Sequence, residues 1–325
     1  MPQKYRQECL CYGKKSFFCN MNIHIRQIAR LTGHRASVYA LVKGDTSAQF
    51  LSGGGEGWVI RWDAENTEQA TLLAKVETNI FSLLYLPEKR LLLAGNMNGG
   101  LHWVAVDKQE DLRNTAYHKK GIFEIRYVND YIYTAGGDGK LVKWSPETMR
   151  PVETFELTID SLRTLAYNEA RQEWAVGASD NAIYLLDNDL NIKKRIASAH
   201  DNSVFTIQYS PDGKHLLSGG RDAHLKVWNV EADFELQSTQ PAHWFTINDI
   251  SYHPEGHIFA TASRDKTIKI WDAYTFKLLK VIDTARYGCH INSVNRLLWL
   301  SHQNYLVSCS DDRTVIIWEL DIENI

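Results

Sequence analysis

Residues 200–240 read HDNSVFTIQYSPDGKHLLSGGRDAHLKVWNVEADFELQSTQ. Four runs of alternating apolar and polar residues lie in this stretch: His200–Pro211, Lys214–Gly220, Ala223–Val230 and Phe234–Gln240. A period of two with β-branched and aromatic enrichment is the pattern of half-buried strands, and the Gly, Asn and Asp residues between the runs suit tight hairpins. The unit predicted is therefore a four-stranded antiparallel sheet of about forty residues, too small to bury both its faces alone.

The same unit recurs along the chain. Turn residues Glu56, Asn98, Asp138, Asp180, Asp222, Asp265 and Asp312 follow one another at steps of 42, 40, 42, 42, 43 and 47 residues. Six residues beyond each stand Trp62, Val104, Trp144, Leu186, Trp228, Trp271 and Trp318. Four before each stand Ser52, Ala94, Thr134, Val176, Ser218, Thr261 and Ser308. A histidine precedes the turn by 22 residues at His34, His200, His243 and His290, and by 20 at His118; Val76 and Thr158 take its place in the second and fourth units. Seven such units predict an all-β, seven-bladed β-propeller of four-stranded blades.

With Gly33-His34 leading to Trp62-Asp63, and His243 leading to Trp271-Asp272, the pattern resembles WD repeats from Met21 to the C-terminus. The resemblance implies that His, Ser/Thr, Asp and Trp link the strands of one blade through buried hydrogen bonds. The sets are His34, Ser52, Glu56, Trp62; His118, Thr134, Asp138, Trp144; His200, Ser218, Asp222, Trp228; His243, Thr261, Asp265, Trp271; and His290, Ser308, Asp312, Trp318. A buried network with one member missing strands its neighbours at about 1–3 kcal/mol each. The second unit accordingly drops all its inner members together, and the fourth keeps only Thr158. Glu56, one methylene longer than Asp, is expected to sit displaced or toward solvent. Ser, His and Asp also compose a hydrolytic triad, but a triad occurs once, and a set repeated five times beside a Trp is structural.

Only seven residues follow Trp318, enough to finish a third strand. The segment Asn22–Leu31 is expected to supply the fourth strand of blade seven, which removes an open sheet edge. Residues 1–20 are then a tail outside a single propeller spanning 21–325. Cys9, Cys11, Cys19 and His24 match no metal-ligand spacing, so no metal and no cofactor are expected.

In the family the residue five beyond the histidine position often points to the rim of the central channel. Here those positions hold Tyr39, Phe81, Phe123, Arg163, Phe205, Asn248 and Asn295. The position before the turn acid faces the same surface in the family and supplies Arg221 and Arg264, with Asp311 beside them. Aromatic residues and Arg are the types most enriched in interface hot spots. Trp58 and Trp244, outside the repeated Trp column, are secondary candidates. The function expected is a non-enzymatic scaffold that binds a protein or peptide at this rim, as a monomeric propeller within a larger complex.

Composition narrows the rivals. A net charge of -3 disfavours a nucleic-acid binder, although Lys119, Lys120, Arg163, Arg221 and Arg264 are the residues an RNA-binding assembly factor would use. A propeller enzyme with a channel metal is the other alternative; no acidic set repeats toward the axis and no HExxH, GxSxG or complete phosphate-loop motif occurs. Gly136-Gly137-Asp138-Gly139-Lys140 reads as the hairpin of blade three. Five cysteines without a framework pattern predict a reducing compartment, and no apolar run of spanning length occurs. The expected location is the cytoplasm or nucleus, with no membrane partner.

Overall fold

A computed structural model describes residues 21–324 apart from residue 109. The expectations placed on residues 1–20, including the Cys9, Cys11, Cys19 set, lie outside the described residues. The described strands form seven four-stranded antiparallel sheets. The innermost strands are Val38–Lys43, Ile80–Leu86, Ile122–Val128, Leu162–Asn168, Val204–Tyr209, Ile247–Tyr252 and Val294–Trp299. Each packs on the next, and the last packs on the first, so the sheets close into a ring. We number the blades 1 to 7 in this order.

Blade 7 takes its outer strand from the start of the chain: Met21–Thr32 pairs antiparallel with Thr314–Asn324, from Met21 opposite Asn324 to Thr32 opposite Thr314. That closure is the one expected from the short C-terminal remainder. Between blades lie apolar clusters built from both neighbours, such as Ile258, Ile270, Leu306 and Trp318 between blades 6 and 7. Alternation therefore faces two cores, which is why the second strands are buried at every position, as in Leu91–Asn96, or at all but the first, as in Gln49–Gly54.

One irregularity repeats in all seven blades. The pairing of each innermost strand with its neighbour slips at Val38/Ala40, Ile80/Ser82, Ile122/Glu124, Leu162/Thr164, Val204/Thr206, Ile247/Asp249 and Val294/Arg296. The extra residues are Tyr39, Phe81, Phe123, Arg163, Phe205, Asn248 and Asn295. A bulge leaves its extra residue out of the ladder and re-aims its side chain, so backbone geometry sets these seven positions apart.

Candidate partner-binding face at the channel mouth

The five sequence-predicted networks form completely. In each, the Trp indole N–H donates to the Ser or Thr hydroxyl, the hydroxyl meets His Nε2, and His Nδ1 meets the carboxylate, all at 2.6–3.0 Å. The hydroxyl has one proton, so donating it to Nε2 places the ring proton on Nδ1, directed at the carboxylate. Glu56 corrects the sequence expectation: its carboxylate lies 2.6 Å from His34 Nδ1 and also accepts the Ala36 N–H at 3.2 Å. The longer side chain reaches the same histidine position.

Burial raises the Asp138 and Asp222 carboxyls, but the hydrogen bonds and charge of His118 and His200, joined by backbone N–H donors, together outweigh it and hold both at about 2. Asp265 and Asp312 are also lowered against the pull of burial, by His243 and His290. Burial lowers His34, His243 and His290 despite their acidic partners. These groups are structural ties between the strands of a blade.

Blades 2 and 4 carry other networks, invisible to the repeat columns. In blade 2 the buried Asn96 donates to Glu77 at 2.7 Å and accepts the Gly100 N–H at 2.8 Å, while Glu77 lies 2.9 Å from His102. In blade 4 Asp180 pairs with Arg195 at 3.1 Å and accepts the Tyr184 hydroxyl. The buried indole N–H groups of Trp103 in blade 2 and Trp174 in blade 4 have no acceptor among the described residues.

Five of the bulge residues, from Tyr39 to Phe205, form a chain of contacts, and the two asparagines bond the next blade. Tyr39 meets Phe81 edge-on at 5.3 Å, and Phe81 stacks on Phe123 at 5.4 Å. Arg163 lies over Phe123 at 4.3 Å and Phe205 at 5.0 Å, with its Nε–H on Ser179 at 2.9 Å. Asn248 donates to the Val294 carbonyl at 2.8 Å and Asn295 to that of Val38 at 2.9 Å, each reaching the next blade. Glycine makes room: a Cβ at Gly137 would sit 3.0 Å from the Phe123 ring and one at Gly121 3.1 Å from that of Phe81. All seven are half-buried. The aromatic rim is thus packed against itself rather than standing open.

The residues before the turn acids share this end of the ring. Their backbone N–H groups bond the segments leading into the innermost strands, as Arg221 does to Ser203 at 2.9 Å and Arg264 to Thr246 at 3.0 Å. Arg221 and Arg264 are exposed and have no ion-pair partner among the described residues. Burial, then the nearby charge of Arg221, lowers the Arg163 guanidinium. Trp58 is covered by the Arg35 guanidinium at 4.8 Å.

Open apolar surface lies one step outward. Trp244 is 86% exposed and Phe245 58%. Ile291, the counterpart of Trp244 in the next blade, is 61% exposed, and Ile159 in blade 4 is 85% exposed. The Trp244 and Ile291 N–H groups bond Asp265 and Asp312 at 3.0 and 3.1 Å, so the network fixes the backbone from which these side chains project. Of these four exposed residues the sequence points to Trp244, which it pairs with Trp58 as a secondary candidate. The residue after each network histidine is the column that would have shown Ile291 as well.

Below the mouth the innermost strands enclose a cavity of about 470 Å³. Arg296 of blade 7 crosses it, donating to the Glu124 carboxylate at 3.0 Å and the Phe123 carbonyl at 3.2 Å in blade 3, and lying 3.6 Å from Asp249 of blade 6. Arg126 meets the other Glu124 oxygen at 3.2 Å. Burial raises the Asp249 carboxyl in spite of Arg296. Acidic residues do face the axis, then, singly and paired with arginine. They sit one position beyond the bulges, where the blades read Ala40, Ser82, Glu124, Thr164, Thr206, Asp249 and Arg296.

A ring of seven blades, five of them tied by His–Ser/Thr–Trp networks, defines a repeat propeller. The WD domain, G-beta repeat family matches residues 193–229, 234–272 and 281–319, so the last three units are WD40 repeats within a β-propeller fold. It is similar to the crystal structure of the WD40 β-propeller domain of Doa1, with a TM-score of 0.81 and 19% identity over 92% of this chain and 97% of that one. Among curated proteins it is 23% identical to a Caenorhabditis elegans transcription initiation factor TFIID subunit 5, over 46% of this chain and 24% of the relative. It is 22% identical to the THO complex subunit 6 homolog of Danio rerio, over 46% of this chain and 53% of the relative. Guanine nucleotide-binding protein subunit beta-5b of Danio rerio is also 22% identical, over 63% of this chain and 55% of that protein. The chain spans about half or less of the length of these curated relatives.

Proposed function

We propose that this propeller is a non-enzymatic interaction platform whose channel-mouth face binds a protein segment bearing an apolar anchor and an acidic or phosphorylated residue. The observation that carries the reading is Trp244: an exposed indole at a rigid backbone position, beside Arg264, a cation with no ion-pair partner among the described residues. Large aromatic and Arg residues dominate binding energy when a partner excludes water from them. Arg221 on the adjacent blade supplies a second cation, and the packed rim from Tyr39 to Phe205 forms the floor. Relatives described as subunits of a transcription factor, of the THO complex and of a G protein support a place within a larger assembly. The free, buried Cys289 and Cys309 accord with a reducing compartment, for which we favour the cytoplasm.

Affinity purification from the source cell, comparing wild type with Trp244→Ala and Arg264→Ala chains of unchanged melting temperature, tests the reading. A hot-spot truncation of about 2 kcal/mol weakens binding about 30-fold, so the partner should be lost from both variants. Full retention by both would remove the mouth face as the site. Oligonucleotide binding that falls steeply with salt would favour the RNA reading instead.

A further inference from the structure

We propose that the turn carrying His253, Glu255 and His257, on the face opposite the channel mouth, binds a divalent transition-metal cation of the Zn²⁺ or Ni²⁺ class. One ligand atom from each of the three residues lies within 4.8 Å of the other two. A tetrahedral ion with bonds of about 2.1 Å needs them about 3.4 Å apart. Glu255, whose side chain is 64% exposed, can rotate to close that gap.

The turn is rigid. The His253 N–H bonds the Ile258 carbonyl at 3.0 Å, the Gly256 N–H bonds the His253 carbonyl at 2.8 Å, and Gly256 takes a φ of 76° that disfavours any side chain. The His253 ring stands edge-on to Trp299 at 4.7 Å, which fixes its orientation, and lies 4.7 Å from the ring of His257.

The neighbouring blade is an internal control. Residues 210–214 of blade 5 make the same turn, with the Ser210 N–H on the His215 carbonyl at 2.8 Å and the Gly213 N–H on the Ser210 carbonyl at 2.8 Å. There the three positions hold Ser210, Asp212 and Lys214, with Ser210 donating to Asp212 at 2.6 Å. The turn itself therefore asks for no imidazole. Blade 6 replaces a hydroxyl and an ammonium with two nitrogen ligands and keeps the carboxylate between them.

The chemistry of the set selects the ion. Imidazole nitrogens with one carboxylate suit Zn²⁺, Ni²⁺ or Cu²⁺ and not the oxygen-seeking Mg²⁺ or Ca²⁺. His253 Nδ1 also accepts the Glu255 N–H at 3.2 Å, a long bond that coordination would exchange for the metal. The three residues share a cavity of about 320 Å³ with Gln303 and Asn304 of blade 7 and with Leu320 and Ile322 of Thr314–Asn324, the strand that pairs with the closing strand. An ion here ties the blade 6 turn beside that closure, and binding only to the folded chain raises its melting temperature.

The test is isothermal titration of the full chain with ZnCl₂, with Co²⁺ absorption as a report on nitrogen coordination and MgCl₂ as the control. One Zn²⁺ site with a raised melting temperature and no Mg²⁺ heat is expected. Glu255→Gln, and His257→Lys, which copies blade 5, should each weaken it about tenfold or more while leaving the metal-free melting temperature unchanged. A Cys9→Ser/Cys11→Ser/Cys19→Ser chain is titrated in parallel, because thiolates also take these metals. Zn²⁺ binding that persists in His257→Lys but vanishes without the cysteines would overturn the proposal, as would no binding by wild type.

Discussion

Blade 7 and blade 2 share one backbone and solve its interior in opposite ways. In blade 7 Ser308 stands between His290 and Trp318, and every buried polar atom of the set has a partner. In blade 2 the matching positions are Val76, Ala94 and Val104, and the polar work moves to Asn96, Glu77 and His102. Trp103, adjacent to the vacated Trp column, turns instead toward blade 3 and meets Trp144 edge-on at 6.2 Å. A buried polar network is thus stable when complete or absent, and each blade commits to one state.

The largest effect that would break this contrast comes from the central hydroxyl. Ser308→Ala strands both His290 Nε2 and the Trp318 N–H, and should cost about 2–6 kcal/mol in denaturant unfolding, at about 1–3 kcal/mol for each orphan. The reciprocal change, Ala94→Ser, places a hydroxyl in blade 2 with no histidine or indole to receive it and should cost about 1–3 kcal/mol. If Ala94→Ser were neutral, the all-or-none account would fail. A smaller effect follows from the indoles. Trp318→Phe removes a satisfied donor and should destabilise by about 1–3 kcal/mol, whereas Trp103→Phe removes an unsatisfied one and should fall within about 1 kcal/mol of wild type.

How far the sequence reaches depends on repetition. The networks, the blade boundaries and the closing strand were legible because each residue type recurs at a fixed offset, and Asn22–Leu31 was identified by the missing fourth strand. Glu56 was misjudged because a spacing argument counts atoms along a side chain and not the local fit of the loop it reaches. Asn96 and Glu77 left no trace, since a network used by one blade has no period. Arg296 escaped for the same reason: its partner Glu124 is 172 residues away across an axis that sequence does not represent. The rim column coincides with the seven bulges, but the stacking of Tyr39, Phe81 and Phe123 on one another depends on side-chain rotamers.

The subtlest test of the contrast is pH. His34, His243 and His290 are lowered from 6.5 in the folded chain, so unfolding takes up protons and the stability they contribute, full above pH 6.5, is lost as pH falls through their folded values. Asp138 and Asp222, held at about 2 against an ordinary 3.8, contribute stability that disappears between those values. Hydrogen exchange at pH 5 should therefore show blades 6 and 7 opening ahead of blade 2. Uniform loss of protection across the ring would contradict the assignment of acid sensitivity to the histidines.

Repeat arrays ordinarily behave as one-dimensional chains, in which stability is summed over neighbours and a defect spreads only to the next unit. Arg296 breaks that description. By joining blade 7 to Glu124 in blade 3 and to Asp249 in blade 6, it gives the ring a chord. Opening the seam where the chain ends meet then exposes charges on a blade three positions around the circle. A ring with such a chord is expected to fail more as a whole, in the manner of a spoked wheel, than by unzipping blade by blade from its seam.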